Sequence, residues 1–289
     1  MEIEKHKIEN LRYLSQIFTP SNFNRVVRRN DIRLTEKRIK KYLPIELSGT
    51  NYKLALETLY SIFKKDYRCE YLYKNDLFNK YLLKQYSLAT TTVLNEFKIG
   101  NSIADFILLN GTSRLFEIKS DLDGLDKLKK QIRDYQQFAD LIYIVTSTKF
   151  VSRILSDYEG STIGVIEFTK RNTFKEHKVA ESNKQFFNYV TIFKTLRKPE
   201  YLEIVFDNFG YVPEVPNTQI FRICLDLIHK IEISEFQKMA FNKLKERKIK
   251  CPELLKSEET PVELKQICYS LDFTKQEYEN LFTFLKKAV

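Results

Sequence analysis

The chain has 289 residues, a net charge of +10 and a hydrophobic fraction of 43%, enough for one large domain or two modest ones with their own cores. No run of eighteen apolar residues occurs, which excludes a spanning helix. The start, Met1-Glu2-Ile3-Glu4-Lys5-His6-Lys7, lacks the apolar stretch of a signal peptide, so the expectation is a cytoplasmic protein with no membrane partner.

Residues 1–50 read as a basic N-terminal helical arm ending at Leu43-Pro44, with Ser48-Gly49-Thr50 as a linker. The arm holds eleven Lys and Arg against six Asp and Glu, and Arg25, Arg28, Arg29, Arg33 and Arg38 lie close together with Lys37, Lys40 and Lys41. Such a cluster suits contact with a phosphate backbone; a solvated basic helix face is an equal alternative. A helix-turn-helix over Ser21–Tyr42 is conceivable, but no turn signature fixes it. Leu54–Tyr67 and Asn75–Gln85 follow as helices, since apolar residues recur as Ala55, Leu59 and Ile62 and then as Leu77, Tyr81 and Leu82.

Thr92–Ile99 is the first expected strand. Next comes Ile103-Ala104-Asp105-Phe106, continuing apolar to Leu109, and then Phe116-Glu117-Ile118-Lys119-Ser120. Asn110-Gly111 between them is a strong hairpin signal, and a hairpin there brings Asp105 and Glu117 together. An unpaired carboxylate in so apolar a strand is costly, so Asp105 asks for a compensating cation. The strand period of two puts Glu117 and Lys119 on one face. Two close carboxylates repel unless protonated or bridged by a metal, and a neighbouring lysine can hold or deprotonate water. The plain alternative is a surface ion pair between Glu117 and Lys119, worth about 0.2–1 kcal/mol; it accounts less well for Asp105 between Ala104 and Phe106.

The next helix is expected from an apolar stripe of Leu122, Leu125, Leu128, Ile132, Tyr135 and Phe138, with Gln131 and Tyr135 four apart on one face. Leu141–Val145 and Thr162–Ile166 read as buried strands around a helical segment from Val151 to Tyr158. From Thr92 the order is therefore strand, strand, strand, helix, strand, helix, strand. The basic stretch Lys170–Lys175 is a strand or loop at the rim of the site. From about Phe186 the pattern is helical, clearest over Phe221–Ile231, Ile233–Lys248 and Lys275–Lys287. The expected domains are 1–50, 51–185 and 186–289, the last suited to packing, to a partner protein or to a homodimer. Cys69, Cys224, Cys251 and Cys268 form no C-x-x-C pair, and His6, His177 and His229 are dispersed. Any metal should therefore be a hard cation held by oxygen, Mg2+ or Mn2+.

Asp105, the E-x-K element Glu117-Ile118-Lys119 and the helical Gln131-x-x-x-Tyr135 together resemble the PD-(D/E)XK nuclease superfamily, with its restriction-endonuclease-like fold and RecB-like helix motif, over roughly residues 52–170. Tyr73-Lys74-Asn75-Asp76, Asn95–Asp105 and Leu196–Tyr201 are also similar to a small family of bacterial proteins carrying this core. The resemblance implies an α/β fold with a central mixed sheet flanked by helices, between an N-terminal helical arm and a helical C-terminal region. It further implies a nuclease that hydrolyses DNA phosphodiesters, with RNA left open, in repair or defence against foreign DNA. Asp105, Glu117 and the Ile118 carbonyl would hold Mg2+ or Mn2+, Lys119 would handle the attacking water, and Gln131 and Tyr135 would orient nucleophile or phosphate. Glu96 or Glu70 would be the further acid, with Glu96 preferred. The alternative is a catalytically silent nuclease fold that binds nucleic acid or a protein.

Overall fold

Asn51 starts the helix Tyr52–Asp66 by accepting the Leu54 N–H on its side chain at 2.9 Å, the usual device for satisfying an orphan donor at a helix start. The computed structural model describes residues 2–43, 49–87 and 90–289; Pro44, the expected end of the arm, and Ser48 of the expected linker lie outside them. The first helices are α1 (Glu2–Ser15), α2 (Pro20–Phe23), α3 (Arg33–Tyr42), α4 (Tyr52–Asp66), α5 (Glu70–Asp76) and α6 (Leu83–Gln85). A π turn over Leu77–Leu82 joins α5 to α6, so the helical stretch expected from Asn75 starts already at Glu70.

A mixed six-stranded sheet follows, with strands in the order β1 (Thr92–Ile99), β2 (Ser102–Asn110), β3 (Thr112–Lys119), β4 (Leu141–Ser147), β5 (Gly164–Phe168) and β6 (Phe174–Lys178). β1, β2 and β3 pair antiparallel, β3–β4 and β4–β5 pair parallel, and β6 returns antiparallel to β5. The parallel pairs need crossovers, supplied by α7 (Leu128–Gln136) and α8 (Val151–Asp157). Two boundaries differ from expectation. α7 begins six residues after Leu122, which is 56% exposed, because Asp121, Asp123, Gly124 and Asp126 favour turns over helix. β5 is shifted toward Phe168 and opens at Gly164, where a Cβ would stand 2.5 Å from the Tyr143 ring and 2.8 Å from the Ala180 nitrogen. Only a residue without a side chain fits there.

Four helices, α9 (Tyr189–Phe193), α10 (Lys198–Phe209), α11 (Asn217–Ile228) and α12 (Ile233–Lys245), then pack on the sheet. Their residues Ile192, Phe193, Ile204, Cys224, Phe236 and Leu244 share one apolar core with Ile107, Leu115, Tyr135, Ile144 and Val165. A boundary at 185/186 would cut this core in two. The chain divides instead into one compact unit of 87–119 and 123–248 and another of 1–86, 120–122 and 249–289.

The second of these units is completed by α13 (Pro252–Lys256), α14 (Lys265–Leu271) and α15 (Lys275–Lys286). Phe18, Tyr60, Phe63 and Tyr71 form its aromatic centre. The Asn75-Asp76 pair is buried there. Asp76 accepts from Tyr60 at 2.7 Å and from Lys80 at 2.6 Å, while Asn75 donates to the Val262 carbonyl and accepts the Gln266 N–H. These residues therefore satisfy one another's hydrogen bonds as part of the packing. Among the described residues no helix is long and apolar enough to cross a membrane.

Candidate active site

The β2–β3 hairpin turns at Gly111, whose φ of 70° lies in the left-handed region that glycine tolerates. From Asn110 opposite Thr112 the ladder runs to Phe106 opposite Phe116 and stops. Asp105 and Glu117 are the next residues along, where the strands part. In place of a backbone partner, the Ile118 N–H donates to Asp105 Oδ2 at 2.8 Å. The carboxylate thus takes over a ladder bond, which also makes good the cost of seating it between Ala104 and Phe106.

Glu117 and Lys119 share one face of β3, and α7 lies over that face. Lys119 Nζ donates to Glu117 Oε1 at 2.8 Å and to Gln131 Oε1 at 3.0 Å. Gln131 Nε2 donates to the same Glu117 oxygen at 2.6 Å. Tyr135 Oη lies 2.8 Å from Glu117 Oε2 and 2.7 Å from the Ile103 carbonyl. The four polar side chains close a ring of hydrogen bonds in which Glu117, Lys119 and Tyr135 are buried and Gln131 is half-buried, with the Glu117 and Lys119 side chains 3% and 11% exposed. Burial, and after it the negative charge of Asp105, pushes the Glu117 carboxyl up to about 7. Burial and the neighbouring Glu117 likewise push the Tyr135 phenol well above its usual range.

Two residues that the spacing does not single out hold this arrangement. Asp134 Oδ2 accepts from Ser102 Oγ at 2.6 Å and from the Asn101 N–H at 3.2 Å, which fastens the β1–β2 turn to α7. Thr146 Oγ1 on β4 donates to the Lys119 carbonyl at 3.0 Å. The turn residues Gly100-Asn101-Ser102, with three small or polar side chains before an apolar strand, are the signal that could have pointed to a docking partner.

The two further acids part company. Glu96 stands across the β1–β2 register from Asp105, between the pairs Asn95–Phe106 and Phe97–Ala104, with a left-handed φ of 48° and an exposed side chain. Glu70 opens α5 in the other unit and pairs with Lys74 at 2.7 Å. Among the described residues no group of three or more His, Cys, Asp and Glu side chains is arranged to hold a metal ion. Asp105 and Glu117 offer hard carboxylate oxygens, the donor type that a hard divalent cation prefers.

The basic arm belongs to the other unit, and its arginines are largely engaged. Arg25 and Arg33 both pair with Asp31, at 2.6 and 2.9 Å, and hold its carboxyl well below the usual carboxylate range. Arg28 pairs with Glu277 at 2.6 Å and caps the Leu271 carbonyl. Arg38 donates to the Gln16 carbonyl, and Arg29 is exposed.

The sequence profile of the bacteriophage P4 protein cII family matches residues 63–267, which include the whole sheet and every residue of the ring. Protein cII of Enterobacteria phage P4 is 27% identical over 173 residues, 58% of this chain. The match spans 64% of that relative's length. No solved structure matches the chain. Arg25 to Arg38 fall outside the family match, whereas Asp105, Glu117, Lys119, Gln131 and Tyr135 fall within it. The chain belongs to the bacteriophage P4 protein cII family.

Proposed function

We propose that this protein is a Mg2+- or Mn2+-dependent nuclease with a restriction-endonuclease-like core that hydrolyses DNA phosphodiester bonds. The observation that carries the reading is the meeting of Asp105, Glu117, Lys119, Gln131 and Tyr135 where β2 and β3 part beneath α7. Asp105 and Glu117, with the backbone carbonyl of Ile118, would hold the cation. When bound, such a cation supplies Lewis acidity at a phosphate oxygen and lowers the pKa of its water. Lys119 orients or deprotonates the attacking water and offsets charge on the phosphate. Gln131 keeps Lys119 and Glu117 in register by bonding both, and Tyr135 fixes the second Glu117 oxygen.

The test is incubation of the purified protein with single-stranded and duplex DNA and RNA in Mg2+, Mn2+ or EDTA, beside Asp105→Ala and Lys119→Ala. Cleavage that disappears with EDTA and in both variants supports the proposal; metal-independent cleavage, or none, counts against it. One observation favours a second reading, a silent nuclease fold that binds nucleic acid. Both Glu117 oxygens are already occupied by Lys119, Gln131 and Tyr135. Binding without cleavage in every metal would select that reading.

A further inference from the structure

Lys119 ends a row of side chains that crosses four strands on one face of the sheet. It pairs in register with Thr146, Thr146 with Glu167, and Glu167 with Lys175. At about 4.8 Å per strand the row carries the sheet face about 14 Å from Lys119 to β6. One strand short of its far end, Glu167 is buried and doubly held. Thr148 Oγ1 donates to Oε1 at 2.5 Å, and His177 Nε2 lies 2.7 Å from Oε2. Hydrogen bonds from Thr148 and His177 keep this carboxyl below its usual range against the effect of burial, so it is an acceptor and His177 Nε2 is the donor. His177 reaches Glu167 through a register shift: Val165 faces Lys178 and Ile166 faces Glu176, which leaves His177 as the extra residue of a bulge. Bulges of this kind re-aim side chains.

The hairpin so anchored is basic and firmly built. Residues 169–178 contain Lys170, Arg171, Lys175 and Lys178 against Glu176 alone. Lys178 is spent on the carbonyls of Tyr158 and Ser161, while Lys170, Arg171 and Lys175 are exposed. Thr169 and Thr173 close the turn through the bond from the Thr169 N–H to the Thr173 carbonyl at 2.8 Å and a hydroxyl pair at 2.8 Å. Asn172 takes the left-handed position at φ 57°, and Phe168 stacks on Phe174. Lysines on an edge strand also deter sheet-to-sheet aggregation. That role needs neither a buried Glu167 anchor nor a bulge on the face that carries Lys119.

We infer that the β5–β6 hairpin is a phosphate track, on which Lys170, Arg171 and Lys175 bind the sugar-phosphate backbone of a nucleic-acid strand whose scissile phosphate lies at Lys119. The inference rests on the proposed nuclease reading and assigns its substrate contacts. A backbone track reads charge and not base identity, so its signature is salt dependence.

The experiment measures binding of labelled single-stranded and duplex DNA, and the corresponding RNA, in EDTA across a salt series, and cleavage in Mg2+. The proteins are wild type, the triple variant Lys170→Ala/Arg171→Ala/Lys175→Ala, and Lys256→Ala/Lys286→Ala, two exposed lysines outside the basic arm, as a comparison from the other unit. The triple variant should lower the slope of log affinity against log salt by about 2–3 for duplex, at about 0.9 per phosphate contact. It should also raise KM with little change in kcat, and circular dichroism should report an unchanged fold. The comparison variant should leave the slope near that of wild type. An unchanged slope in the triple variant overturns the track even where wild type cleaves, and so does absence of wild-type binding to every nucleic acid. Salt-sensitive binding by wild type that the triple variant loses, without cleavage in any metal, sinks the nuclease reading and leaves the track standing. The nucleic-acid form bound most tightly identifies the substrate.

Discussion

Tyr135 Oη stands 2.8 Å from Glu117 Oε2 and 2.7 Å from the Ile103 carbonyl, and a phenol has one hydrogen for these two acceptors. If the Ile103 carbonyl takes it, the hydrogen between Tyr135 and Glu117 belongs to a protonated Glu117 carboxyl. That agrees with a Glu117 pushed up to about 7 by burial and by Asp105.

The sign of the pH effect follows. A carboxyl raised on folding contributes stability that is complete below its unfolded value and is lost as pH rises through its folded value. The metal-free protein should therefore lose melting temperature between about pH 4.5 and about pH 7 through this group. Glu117→Gln, which stays neutral, should flatten that part of the profile. Mg2+ should raise the melting temperature more at about pH 8 than at about pH 6, since the cation competes with the Glu117 proton. Thermal unfolding of both proteins at several pH values, with and without Mg2+, checks this; a Glu117→Gln profile as steep as that of wild type would falsify it.

Asp105 serves both the proposed chemistry and the fold, and two substitutions separate those roles. Asp105→Asn keeps an oxygen for the Ile118 N–H and should stay within about 1 kcal/mol of wild-type stability while losing Mg2+-dependent cleavage. Asp105→Ala orphans that N–H, at a cost of about 1–3 kcal/mol. Denaturant unfolding paired with the cleavage assay reads both; equal stability of the two variants would show that the bond to Ile118 contributes nothing.

Tyr135→Phe removes the phenolic oxygen from the buried ring. The Ile103 carbonyl and Glu117 Oε2 lose their partner, so a destabilisation of about 1–3 kcal/mol is expected, together with faster amide hydrogen exchange around Ile103. A variant with wild-type melting and exchange would mean that water replaces the phenol without cost.

Gly164→Ala should destabilise by about 1–3 kcal/mol, because the added carbon meets the Tyr143 ring at 2.5 Å and the Ala180 nitrogen at 2.8 Å. A smaller residue at Tyr143 relieves only the first clash, so Tyr143→Leu in the same chain should recover part of the loss. Chemical denaturation of the single and double variants tests the coupling.

Much of the sheet was legible in residues 92–168 because strand signals there are local: apolar runs, a Gly111 turn and the four-residue spacing of Gln131 and Tyr135. What depended on distant partners was not. The arginines of the arm register as free charge in a sequence count, yet Arg28 is matched by Glu277, 249 residues away. The apolar stripes of α9–α12 mark helices without saying what they cover, and they cover the sheet, so the boundary expected at residue 186 falls inside a core. The helix expected from Leu122 failed for a local reason, since three Asp and a Gly within residues 121–126 outweigh an apolar spacing of three. The ring of Glu117, Lys119, Gln131 and Tyr135 was readable as a residue set, while the grip of Asp134 on the β1–β2 turn required the fold.

The division of the chain also sets an order for its folding. The unit that carries the sheet is continuous in sequence from residue 87 to 248 apart from residues 120–122, whereas the other draws on residues 1–86 and on 249–289. Domains generally fold as units while the chain is being made. On a ribosome, the sheet and its ring of polar residues can therefore assemble while the first 86 residues still await α13, α14 and α15.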